Sequence, residues 1–156
     1  MDELHALEQW ADALLARLSP SARRTALLDI ARVLRRSQQA RIAAQHNPDG
    51  STYTTRKNRT AKGGKKLRDK QGRIKRTAMF VKLRTARFLK IEADSTSLAI
   101  GFTDRVASIA RIHQFGEREP VAPGGPEYTY PARVLLGFTE AEREMIQNRL
   151  LSQLIS

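Results

Sequence analysis

The sequence contains no cysteine, which removes disulfides, thiolate metal sites and thiol nucleophiles together. It has no run of about 18 uninterrupted apolar residues, so no helical membrane span is expected. Aromatic residues make up only 6% of the chain. Any core is therefore aliphatic and modest in size. The three histidines, His5, His46 and His113, are scattered, and none has a second histidine or an acid at metal-ligand spacing on a shared helical face. The N-terminus, MDELHALEQW, lacks the basic flank and apolar stretch of a secretory signal. Synthesis in the cytoplasm, no cofactor, no metal and no membrane partner are the expectations that follow.

Charge is what the sequence does have. The net charge is +12 over 156 residues, but it is concentrated. Between Arg56 and Lys90 lie 15 Lys/Arg and one acid, Asp69, while the rest holds 13 Lys/Arg against 15 Asp/Glu. A nearly neutral body thus carries one cationic stretch.

Three parts of a single domain are expected. The first, 1–46, is helical. Leu4, Leu7, Ala11, Leu14, Leu15 and Leu18 recur at spacings of three and four. Ser19-Pro20 then ends one helix and opens the next, with serine as cap and proline in the first turn. In that second helix Leu27, Ile30, Ala31, Leu34 and Ile42 mark the buried side, and Arg32, Arg35, Arg36 and Arg41 are expected to face elsewhere. Running to about Gln45 it spans roughly 37 Å. It either crosses the body or projects beyond it.

The second part, 47–76, is a loop or arm. Asn47-Pro48-Asp49-Gly50 is a turn signal. From Ser51 to Arg76 only Tyr53, Leu67 and Ile74 have apolar bulk, too little to offset the entropy of ordering. A free chain of that length reaches roughly 85 Å. Lys57, Arg59, Lys62, Lys65, Lys66, Arg68, Lys70, Arg73, Lys75 and Arg76 are the candidates for contact with DNA or a protein partner. Without interleaved aromatics the stretch offers no stacking platform for single strands. Nonspecific phosphate contact, docking on an acidic protein surface and a merely solvated loop all remain open.

The third part, 77–156, is an α+β core completed by the N-terminal helices. A short helix is expected over Met79–Arg87, then a hairpin of Phe88–Glu92 with Leu98–Phe102. A helix over Thr103–Phe115 is closed by Gly116. A Pro/Gly-rich loop over 117–126 precedes a strand at Tyr128–Tyr130. The last helix opens on a capping box of Thr139 and Glu142, with Ala141, Met145, Leu150 and Leu154 on its inner face. The fold class is α+β: N-terminal helices (one long), a small antiparallel sheet with an intervening helix, and a C-terminal helix.

No enzyme signature survives this reading. Gly63-Gly64-Lys65-Lys66 lacks the strand, the spacing and the Ser/Thr of a phosphate loop. Glu140, Glu142 and Glu144 sit where a helix N-terminus stabilises negative charge in any case. His113 reads as a packing or capping residue.

Several separated motifs do carry information. They are Leu7-Glu8-Gln9-Trp10-Ala11, Arg35-Arg36-Ser37-Gln38-Gln39, Arg41-Ile42-Ala43 and Asn47-Pro48-Asp49-Gly50. After them come Met79-Phe80, Lys82-Leu83-Arg84-Thr85-Ala86-Arg87, Gly101-Phe102-Thr103, and Arg111-Ile112-His113-Gln114-Phe115-Gly116. Tyr130-Pro131-Ala132-Arg133 and Leu135-Leu136-Gly137 complete the series. In order and spacing the chain resembles the phage virion morphogenesis, or tail completion, family of contractile-tailed phages. The resemblance implies a non-enzymatic virion protein, assembled in the bacterial cytoplasm into a ring, often of six copies, at the head-proximal end of the tail. The implied partners are further copies of itself, tail terminator, tube or sheath proteins, head-completion or connector proteins, and genomic DNA in the channel. Charged residues within the motifs, Arg35, Arg36, Arg84, Arg87, Arg111, His113 and Arg133, are the candidates for subunit contacts. The rival reading is a small basic nucleic-acid-binding protein that uses 56–90 for phosphate contacts.

Overall fold

The computed structural model describes residues 3–55 and 78–155. Helix α1 covers Glu3–Leu15 and α2 Pro20–Ala43. Strands β1 (Leu89–Ala93) and β2 (Leu98–Phe102) form an antiparallel hairpin, followed by α3 (Asp104–Phe115). Strands β3 (Arg118–Pro120) and β4 (Glu127–Thr129) make a second antiparallel pair, and α4 (Glu140–Ile155) ends the chain. The fold is α+β.

Local chemistry sets most of these boundaries. Ser19 Oγ accepts from the Ala22 amide at 3.2 Å, and Pro20 takes the first helical position, where its missing N–H is harmless. Thr139 and Glu142 bond each other's backbone amides reciprocally, both at 3.1 Å. Gly116 closes α3 at φ +66°, a left-handed value suited to glycine. In the β1–β2 turn, the Asp94 carboxylate accepts from the amides of Thr96 (2.7 Å) and Ser97 (2.8 Å). The Thr96 amide first, then its hydroxyl, hold that carboxyl below its ordinary value.

Helix α2 is the spine. It runs through two apolar clusters rather than projecting from the body. The first joins Leu7 and Leu15 of α1, Leu27, Ile30 and Leu34 of α2, and Ile146 and Leu150 of α4. The second surrounds Ile42 with Tyr53, Met79, Phe80, Leu83, Ala110 and Leu135. Each fully buried aliphatic side chain contributes roughly 1.5–3 kcal/mol. In α2 the expected apolar stripe is the buried one, extended by Ala26 and Gln38.

Four local expectations need correction. Met79–Arg87 is a run of turns rather than a helix. The Gln45 side chain takes both backbone groups of Met79 (2.8 Å to its amide, 2.9 Å to its carbonyl), and Phe80 sits at φ +67°. The left-handed φ of Phe80 interrupts helical backbone at the second residue of the run. Arg41 does not face away from the core. Its guanidinium donates to the carbonyls of His46, Val134 and Leu135 at 3.1, 3.1 and 2.7 Å. The 117–126 loop contains strand β3, paired in register with β4. On α4, Ala141 is exposed; Glu142, Ile146 and Leu150 are buried and Met145 packs half-buried against the first cluster, while the Leu154 side chain lies outside what is described.

Tyr53, expected within the arm, is also core, 3% exposed. Close packing at 137 yields one prediction. A Cβ on Gly137 would lie 2.7 Å from Cγ of Pro48, and a proline ring cannot swing aside. Gly137→Ala should cost about 1–3 kcal/mol in denaturant unfolding, and Pro48→Ala in the same chain should recover most of it.

Candidate interaction surface

Four of the quoted motifs, those holding Gln38, Arg41, Asn47 and Gln114, meet at an irregular segment, 130–137, that no strand pairs with through residues 133–136. Its backbone is held mainly by side chains. Gln114 Oε1 accepts from the amides of Leu135 (2.8 Å) and Leu136 (2.9 Å), and its Nε2 donates to the Leu136 carbonyl (2.8 Å). Asn47 Oδ1 accepts from the Val134 amide at 2.8 Å, and Tyr53 Oη donates to the Val134 carbonyl at 2.9 Å. Burial pushes the Tyr53 phenol above its ordinary value, opposed by the Arg41 guanidinium. These residues were legible only as motif letters. Their shared role is to satisfy backbone groups that lack a ladder.

The candidate subunit-contact residues separate into two groups. Arg133 lies inside the fold, 4% exposed. Its Nε donates to the Thr54 carbonyl at 2.7 Å, one terminal nitrogen reaches Thr55 at 3.5 Å, and the other donates to His113 Nδ1 at 3.2 Å. The His113 ring packs edge-on between Phe80 and Tyr130, with centroids 5.0 and 5.2 Å away. Close by, exposed Arg111 pairs with Glu117 at 3.2 Å and borders an open apolar groove that includes Phe102, Ala107, Phe115 and Leu136.

The second group forms a surface. Arg32 and Arg36 are exposed and Arg35 half-buried on one flank of α2. On that flank Gln39 Nε2 donates to the Arg84 carbonyl at 2.9 Å, which sets Lys82, Arg84 and Arg87 alongside. The Arg87 guanidinium lies 5.3 Å from the Phe88 ring centroid. Among the described residues, none of these six cations forms an ion pair. Arg32 and Lys82 were not among the expected contact residues. Only helical spacing from Arg36, and proximity to Arg84, bring them in.

Lys57, Arg59, Lys62, Lys65, Lys66, Arg68, Lys70, Arg73, Lys75 and Arg76 lie outside the described residues. The chain on either side of them is anchored. The rings of Tyr53 and Phe80 meet at 5.7 Å between centroids. Among the described residues no group of three His, Asp or Glu is placed to hold a metal ion, and no helix is long and apolar enough to cross a membrane.

The chain belongs to the phage virion morphogenesis family, whose model matches residues 2–155. Among individual proteins it is similar to tail completion protein S of Escherichia phage P2. The two are 40% identical over 155 residues, which is 99% of each chain. No solved structure matches.

Proposed function

We propose that this chain is a structural tail completion protein, without catalytic activity, that forms a ring at the head-proximal end of a phage tail and makes the tail competent to join a filled head. The observation that carries this reading is the end-to-end similarity to a protein of that name, 99% of each chain. A ring of about six copies uses heterologous contacts, in which one patch meets a different patch on the next copy. Its other neighbours are the tail terminator, tube or sheath on one side and head-completion or connector proteins on the other. The cationic stretch 56–90 contacts an acidic protein surface or channel DNA at the joint. Assembly takes place in the host cytoplasm.

Deleting the gene from its phage tests this. Full heads and complete-length tails should accumulate unjoined, and purified protein added to the lysate should restore infectivity. Normal virions from the deletion would refute the reading. The nucleic-acid-binding alternative is favoured by the 15 Lys/Arg between Arg56 and Lys90. It requires duplex binding with a slope near −0.9 per phosphate neutralised, and no defect specific to joining.

A further inference from the structure

Beside α2, cations gather on the Gln39 side and carboxylates on α1 and α4. At about 100° per residue, Ser37 and Gln39 are separated by about 200° around the helix. Gln39 faces the basic side, through its bond to Arg84. Ser37 faces α4, donating to Glu142 at 2.7 Å. Beyond it, α1 and α4 together carry five exposed carboxylates, Glu3, Glu8, Asp12, Glu140 and Glu144, against only Arg143 and Arg149. Arg149 is already paired with Asp29 of α2, and Arg143 with Glu3 and Glu140. Each flank also exposes one large apolar side chain. Val81, 48% exposed, precedes Lys82 in the chain, and Leu151, 43% exposed, lies seven residues from Glu144 on the same face of α4.

We infer that the basic flank of α2, with Val81 at its centre, docks on the acidic α1–α4 face of a second copy of this chain, centred on Leu151. The inference rests on the ring proposed above and names its contact. An apolar centre within a charged rim is the usual anatomy of a protein interface. Opposite signs on two distinct patches make the contact heterologous, as a ring requires. The same charges repel a docking in which like flanks meet.

Charge reversal on the full-length chain tests it. The variants are Arg32→Glu with Arg36→Glu, and Glu140→Lys with Glu144→Lys. Sedimentation over a concentration series should show a wild-type oligomer that weakens in high salt. Each variant alone should associate about 100-fold more weakly, and an equimolar mixture should restore the oligomer with the two chains alternating. Glu140 also stabilises the first turn of α4, so Glu144→Lys with Leu151→Lys replaces the second variant if its melting temperature falls. An oligomer indifferent to both reversals would overturn this contact and leave the ring standing. A wild-type chain that stays monomeric at every concentration would overturn both. If Arg32→Glu with Arg36→Glu lowers duplex DNA binding but leaves the oligomer intact, the flank serves DNA and the inference fails.

Discussion

Replacing Gln114 by leucine is expected to lower the free energy of unfolding by about 3–5 kcal/mol, although the two side chains differ little in volume. The change leaves the amides of Leu135 and Leu136 and the carbonyl of Leu136 without the bonds they now make at 2.8–2.9 Å. Leu135 is fully buried, so water reaches its amide only if the segment moves. Each unsatisfied buried group costs about 1–3 kcal/mol. Added apolar contact from leucine recovers only a small part. Gln114→Glu separates the contributions. A carboxylate keeps both acceptor bonds but turns an oxygen toward the Leu136 carbonyl, so its cost should fall between wild type and leucine. Urea unfolding followed by circular dichroism measures all three chains. If leucine costs less than about 1 kcal/mol, the clasp is not what holds residues 133–136.

What could be read from the sequence was what neighbouring residues decide. Ser19-Pro20, the Thr139/Glu142 box, Gly116 and the β1–β2 hairpin all depend on partners within a few positions, and the structure has them where the pattern placed them. Met79–Arg87 looked helical because its apolar spacing is helical. It is not a helix: Phe80 takes a left-handed φ, and Gln45, 34 positions away, holds the backbone of Met79 beside it. Arg41 looked like a surface residue because it is charged, although it stands seven residues from Leu34 on the buried stripe of α2. Its carbonyl partners at Val134 and Leu135 are 93 and 94 positions distant. The interaction surface was legible as residue type and motif membership, not as placement. Arg35 and Arg36 adjoin Arg84 only through the Gln39 contact across 45 positions. By sequence alone, Arg133 and Arg111 are the same kind of residue in the same kind of motif; burial separates them, and burial is set by chain segments far away.

Arg133 therefore gives the second large effect, from a charged residue that would ordinarily be assigned to the surface. Arg133→Met keeps much of the side-chain volume and removes the donors to Thr54, Thr55 and His113. A loss of about 2–4 kcal/mol is expected, since hydrogen bonds to a charged group are worth about 1.5–3 kcal/mol each and solvent can reach some of the freed carbonyls. Arg133→Lys should recover less than half. An ammonium is a point donor on a flexible stem and cannot span the Thr54 carbonyl and the imidazole as the planar fork does. The His113 bond predicts a further result. Because arginine only donates, Nδ1 of His113 accepts, and the ring proton sits on Nε2. Phenylalanine at 113 keeps the edge-on packing with Phe80 and Tyr130 but offers no acceptor. A double-mutant cycle of Arg133→Met with His113→Phe should then give a coupling of about 0.5–2 kcal/mol, read from denaturant midpoints at constant m-value. Additive effects would mean that the His113 contact contributes little and that Arg133 acts through other partners, the Thr54 and Thr55 carbonyls among them, where the chain enters the cationic stretch.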